Sequence, residues 1–299
     1  MTLPGVESGY GRRPRGYRLP DATKLGIVRL QVADLARSLD FYRDVIGLGV
    51  VDRSSERATL APHGDAAPTV EIIGRAGSTP VPRRGRLGLF HFAILLPDRA
   101  DLGRFVTHLS KLGVRPGASD HLVSEALYLQ DPDGLGIEVY ADRPREAWRR
   151  NGIELVMETK PLDMFDLVRA AGEKPFTGMP AGTVIGHVHL HVGDLEEGSA
   201  FFHEALGLDT MVWTYPGALF LSAGGYHHHL GLNTWAGPGA PPPRPDDARL
   251  IEWEILVPNS ADAAAAALSL EAGGYAATRA EPGWLVKDPW GTTVRLRSE

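Results

Sequence analysis

Cysteine is absent from all 299 residues, so the chain forms no disulfide and offers a metal no thiolate. Any bound metal must rest on histidine, carboxylate or water, a donor set suited to borderline and hard ions. A basic surplus is also missing: 31 lysines and arginines face 37 aspartates and glutamates, for a net charge of −6. That balance lacks the positive footprint of a nucleic-acid-binding protein. No apolar run reaches the length of a membrane span, and the first residues carry no apolar core of a signal peptide. The expectation is a cytoplasmic chain with neither membrane nor nucleic acid as partner. With 43% hydrophobic and 23% charged residues, the composition is that of a globular protein long enough for one large domain or two medium ones.

Histidine is present in telling places. In Gly186-His187-Val188-His189-Leu190-His191-Val192 three histidines alternate with Val188, Leu190 and Val192, the period of a β-strand with opposed faces. The apolar face suits the amphipathic segment that follows, Asp194 to Leu206, with Leu195, Phe201, Phe202, Ala205 and Leu206. The other face presents imidazoles, which are common metal ligands. Residues four apart on a strand lie too far from each other to share one ion easily. One metal-facing histidine of the three is therefore expected.

The pattern around this strand occurs four times. Leu25 to Asp34, a helix, then Gly47-Leu48 is matched by Val184 to Asp194, a helix, then Gly207-Leu208. Both helices carry an aromatic pair at the same offset, Phe41-Tyr42 and Phe201-Phe202, and Asp34 and Asp194 stand where N-caps belong. Weaker copies begin at Leu87-Gly-Leu-Phe-His91 and Leu250-Ile-Glu252, and they share an ending, Asp131-Pro-Asp-Gly134 and Asp288-Pro-Trp-Gly291. Each ending is a turn signal that feeds a last strand. Four units of about 50 residues follow, none able to bury its sheet alone, so units must pair. The expected organisation is a loosely ordered arm (1–23), two units (24–142), a connector (143–182) and two more units (183–299). A Pro-rich loop from Gly237 to Asp247 is read as a cover on the surface or on a cavity mouth.

With its strand–Asp–helix openings, Phe-Tyr helix and Asp-Pro-x-Gly endings, the chain resembles the vicinal oxygen chelate superfamily. That superfamily includes glyoxalase I, fosfomycin and bleomycin resistance proteins and extradiol ring-cleaving dioxygenases. The resemblance implies an α+β fold, four βαβββ modules paired into two cup-shaped mixed sheets with outer helices. It specifies fold far better than function. A narrower resemblance, to four-module bacterial catechol-2,3-dioxygenases, rests on six stretches. They are 89–97, 119–128, 136–140, 142–145, 182–192 and Tyr226-His-His-His-Leu-Gly-Leu-Asn-Thr-Trp235.

In such proteins metal ligands come from the start of each opening strand and the middle of each last strand. The opening positions here are Ile27, His91, His187 and Glu252; the last-strand positions are Glu71, Glu138, a residue of 227–229, and Arg295. The resemblance therefore implies a metal site of His91, Glu138 and His187, the 2-His-1-carboxylate set of non-haem Fe(II) oxygenases, with Mn(II) as the alternative ion. That set requires units two and three to pair, leaving units one and four as a structural half. Glu138 alternates with Ile137 and Val139, so its carboxylate points away from their apolar face.

The acid–base histidine is open between two positions. Alternation with Leu230 and Leu232 puts His227 and His229 on the metal side, whereas the resemblance favours His228; both His228 and His229 are kept. Tyr128, ten residues before Glu138, matches a pocket tyrosine that hydrogen-bonds a metal-bound substrate oxygen, and His121 lines the same site. His189 and His191 are read as pocket lining. The implied reaction is cleavage of catechol or a substituted catechol by O2, giving a 2-hydroxymuconic semialdehyde, in a homo-oligomer. Two rival readings are a glyoxalase-like metal-dependent isomerase or lyase and a metal-free binding protein of the bleomycin-resistance kind.

Overall fold

The computed structural model describes residues 10–82 and 84–299. Each of the four units contributes an opening strand, a helical segment and three further strands. The opening strands are Lys24–Val32, Gly88–Leu95, Val184–His191 and Arg249–Val257; the matching last strands are Val70–Gly74, Gly136–Asp142, Leu230–Asn233 and Thr293–Ser298. Within each unit the last strand returns parallel to its own opening strand. Between units the opening strands run antiparallel, Gly88–Leu95 against Val184–His191 and Lys24–Val32 against Arg249–Val257.

Two eight-stranded mixed sheets result, one from units two and three and the other from units one and four. This is the expected α+β architecture with the expected crossed pairing. The halves of the chain, 24–142 and 183–299, are repeats in sequence; in space each sheet takes one unit from each half. The inward strand residues and the helices share one apolar core, with Val188, Leu190, Phe92, Ile94, Phe105 and Phe202 almost fully buried. Among the described residues no helix is long and apolar enough to cross a membrane.

Local chemistry repeats with the units. Asp34, Asp98, Asp194 and Asn259 each cap a helix by accepting the backbone N–H three residues on. Each cap is worth about 1 kcal/mol. At the two Asp-Pro-x-Gly turns, Asp131 and Asp288 accept backbone N–H groups two and four residues ahead. Burial pushes both carboxyls up to about 6. Gly134 and Gly291 sit at φ of +85° and +91°, where a side chain would be strained. The helices of units one and three differ from the regular helix expected: at the aromatic pairs they widen into π-helix, over Phe41–Ile46 and Ala200–Ala205. The extra residue per turn places both Phe201 and Phe202 in the core, edge to face at 4.6 Å.

Of the segment expected to be loose, residues 1–9 lie outside the described residues. Residues 10–23 are tied down: Arg12 and Thr210 exchange backbone hydrogen bonds, Arg18 pairs with buried Asp209, and Leu19 is buried. The connector holds a two-stranded ladder, Arg150–Asn151 with Glu154–Leu155, and the helix Met164–Ala170. The Pro-rich loop covers the sheet of units one and four, where Gln31 donates to the carbonyls of Pro245 and Asp247.

The cup of units one and four is filled with side-chain ion pairs. Arg29 bridges Glu71, Glu252 and Glu254, while Arg295 holds Glu252 and Arg297 holds Glu254. Removing one member leaves its partners charged and short of solvent. Glu252→Gln is expected to cost about 2–3 kcal/mol, reduced from the fully buried case because Arg29 keeps 26% exposure. A lowered urea midpoint with unchanged metal content would bear this out.

Candidate metal centre

Alternation along three strands sets the centre. Phe92 and Ile94 turn to the core and His91 to the cup; Ile137 and Val139 turn to the core and Glu138 to the cup. On the third strand Val188, Leu190 and Val192 are buried in the core, and His187 projects the other way. The antiparallel pairing sets His189 opposite His91 and His187 opposite Ala93, so His187 lies diagonal to His91. Glu138 pairs with the same Ala93 from the far side.

Three donor atoms meet there. His91 Nε2 is 3.0 Å from Glu138 Oε2, His187 Nε2 is 3.2 Å from it, and the two Nε2 atoms are 3.3 Å apart. Three ligands about 2.1 Å from one ion stand roughly 3.0–3.4 Å from each other, so the triangle fits a single divalent cation. All three residues are buried, and their donor atoms form a potential metal group. Burial lowers His187 to about 4, keeping it neutral at neutral pH. Burial alone would raise the Glu138 carboxyl, but His187 and then His91 overcome it and hold it well below the usual carboxylate range. His187 thus stands as a neutral imidazole and Glu138 as a carboxylate, the forms that bind a metal.

The register also corrects one assignment. Arg29 pairs with Glu71 in unit one, and the matching pair in unit three is His189 with Gly231. The counterpart of Glu71 is therefore Gly231, not a residue of 227–229. A Cβ at Gly231 would meet the His189 ring at 2.7 Å. The position that would carry a fourth ligand holds no side chain, and the His189 ring packs against it.

The other sequence candidates separate. His228 faces the cup, its ring 4.0 Å from that of His187 and 4.9 Å from Phe220. Burial, and then its imidazole neighbours, lower it well below the ordinary histidine range, so its base form prevails at neutral pH. His229 looks elsewhere. Its Nδ1 accepts from the Ala223 N–H and contacts Ser222 Oγ, and it lines a separate cavity with Lys24, Arg145 and Val184. Strand alternation fails because the last strand begins only at Leu230, and residues 223–229 form a turn. The period-two reading therefore put His227 and His229 on the metal side, where the turn brings His228.

Tyr128 pairs with Glu138 in the sheet and is 2.6 Å from His121 Nε2. His121 Nδ1 lies 2.9 Å from the Glu158 carbonyl, which only accepts, so that nitrogen carries the proton. Nε2 then accepts from the Tyr128 hydroxyl. Burial, with Glu138 next, pushes that hydroxyl well above its ordinary value. His191 is held away from the centre by Asn233 at 2.6 Å.

One cavity of about 220 Å³ joins His91, Glu138, Tyr128, His121, His189 and His228. Its walls include Phe90, Phe220 and Trp235, with Met157 and Thr159 from the connector and Tyr215 beside them. Sequence reasoning missed these walls. It also missed the pairing of His227 with Asp142, whose side chains meet at 2.9 Å behind His228. A signal existed for Asp142: with Glu138 and Tyr140 it shares one face of a period-two strand.

A family model described as the Glyoxalase/Bleomycin resistance protein/Dioxygenase superfamily matches residues 24–139 and 184–296. The chain belongs to that superfamily. Within it, the chain is 43% identical over 270 residues to the Catechol-2,3-dioxygenase of Bacillus subtilis (strain 168), covering 89% of this chain and 94% of the relative. It is a catechol-2,3-dioxygenase-like enzyme by that likeness. Two solved structures share the superfamily fold. One, from Bacillus subtilis subsp. subtilis str. 168, has a TM-score of 0.64 at 14% identity, covering 94% of this chain and 86% of the other. Glyoxalase I from Zea mays has a TM-score of 0.54 at 19% identity, with 92% of each chain covered.

The triangle predicts which substitutions release metal. His91→Ala, Glu138→Ala and His187→Ala each remove one of the three donors that could hold the ion. Metal per chain after dialysis, measured by mass spectrometry, is expected to fall to near zero in each, while His229→Ala retains it.

Proposed function

We propose that the chain is an extradiol ring-cleaving dioxygenase acting on catechol or a substituted catechol, with Fe(II) held by His91, Glu138 and His187. The product is a 2-hydroxymuconic semialdehyde, in which both atoms of O2 are incorporated and the ring bond beside the diol is broken. The observation that carries this reading is one ring-sized cavity lined by His91 and Glu138 of the triangle together with His228 and Tyr128. Bound there, Fe(II) supplies Lewis acidity toward the diol and electron exchange with O2.

The chain's own groups do the rest. His91, Glu138 and His187 would hold the ion, and the cavity beside them would take the substrate. Phe90, Phe220 and Trp235 flank a planar ring and keep water away from it. His228, neutral because of its burial, accepts a diol proton and returns one as the ring opens. Tyr128, held by His121, turns its oxygen toward the bound diol. Gly231 in place of a fourth ligand weighs against a glyoxalase-like isomerase, and the buried triangle weighs against a metal-free binder.

Protein purified without air, reloaded with Fe(II) and mixed with catechol in air is expected to take up one O2 per catechol and form a yellow ring-opened product. Zinc-loaded protein is expected to take up none. His228→Ala is expected to keep its iron and lose about 10²- to 10⁴-fold in kcat, the usual worth of a positioned acid–base group. Oxygen-electrode rates beside iron content check both statements; full turnover in His228→Ala would overturn its role.

A further inference from the structure

Behind His228, on the side away from the cavity, runs a line of polar contacts. His228 Nδ1 is 2.7 Å from His227 Nδ1, and His227 Nε2 is 2.9 Å from Asp142 Oδ1. His227 is fully buried, walled by Tyr226 at 4.1 Å and Trp148 at 5.4 Å between ring centres. Asp142 keeps 27% exposure and also accepts from the Tyr226 hydroxyl at 3.2 Å, which helps fix its oxygen.

The direction of each hydrogen bond follows from counting protons. An ionised carboxylate only accepts, so His227 Nε2 carries a proton. A neutral imidazole carries only one, which leaves His227 Nδ1 as an acceptor. A contact of 2.7 Å between two ring nitrogens needs one donor, and the donor is then His228 Nδ1. His228, with its single proton spent there, has a bare lone pair on Nε2. We propose that Asp142 and His227 are positioning residues that hold His228 in the Nδ1–H tautomer, so that Nε2 serves as the proton acceptor toward the cavity. The logic is that of a carboxylate orienting a catalytic imidazole, extended by a second imidazole.

This inference rests on the dioxygenase reading for its purpose but not for its test. Full-length protein labelled with ¹⁵N-histidine and loaded with Zn(II), a diamagnetic probe, reports each tautomer through two-bond ¹H–¹⁵N correlations. The expected spectrum has His228 Nδ1 protonated and Nε2 bare. In Asp142→Asn the amide can donate to His227 Nε2, which reverses both rings and protonates His228 Nε2; Asp142→Glu, which keeps a carboxylate, retains the original pattern. A wild-type His228 already protonated at Nε2, or an Asp142→Asn spectrum unchanged from wild type, overturns the proposal. The wild-type spectrum alone suffices if Asp142→Asn does not fold. With Fe(II) and catechol, Asp142→Asn is expected to keep its iron and KM and to lose about 10²- to 10⁴-fold in kcat. A variant with unchanged kcat also overturns it. Failure of catechol as a substrate would count against the dioxygenase reading and leave the tautomer result standing.

Discussion

The antiparallel seam between Gly88–Leu95 and Val184–His191 is the constraint on which this molecule's chemistry depends. His91 and His187 are nearly a hundred residues apart in the chain, and only this register sets their ring nitrogens beside one another. A slip of one residue would turn either histidine into the apolar core. The core residues Phe92, Ile94, Val188 and Leu190 therefore secure the two histidines indirectly: exposing them costs several kcal/mol, and that cost fixes the register.

The same scaffold answers the problem of an inward-facing polar cup in two ways. In units two and three the cup gathers two imidazoles and one carboxylate within the span of one cation. In units one and four the corresponding positions include Glu252 at His91's place and Arg295 at Glu138's, and the charges cancel among themselves. Arg29 stands where His189 stands and reaches into the middle of the site, so the guanidinium supplies the positive charge that a metal would otherwise bring. One sheet is closed by its own ion pairs, and the other gathers the donor set of a metal.

How much of this was legible in the sequence depended on periodicity. His187 stood out because it alternates with Val188 and Leu190, and Glu138 because Ile137 and Val139 bracket it. The crossed pairing followed from the uneven distribution of ligand residues among the four units. What alternation could not reach was the turn before Leu230, where consecutive histidines point in three directions: His227 to Asp142, His228 to the cavity and His229 to Ser222. The π-helical widening at the aromatic pairs was hidden for a similar reason, since the pattern of apolar residues there also suits an ordinary helix. Contacts made by long loops leave no repeat to read.

The connector is the feature with the widest reach. Met157 and Thr159 come from it and form part of the cavity wall, and Lys160 bonds backbone to backbone with Asp120 at its edge. None of this segment belongs to the fourfold pattern, and it supplies none of the three donor residues of the triangle. Substitutions in the connector can therefore reshape the mouth of the cavity while the triangle of donor atoms beneath it stays constant.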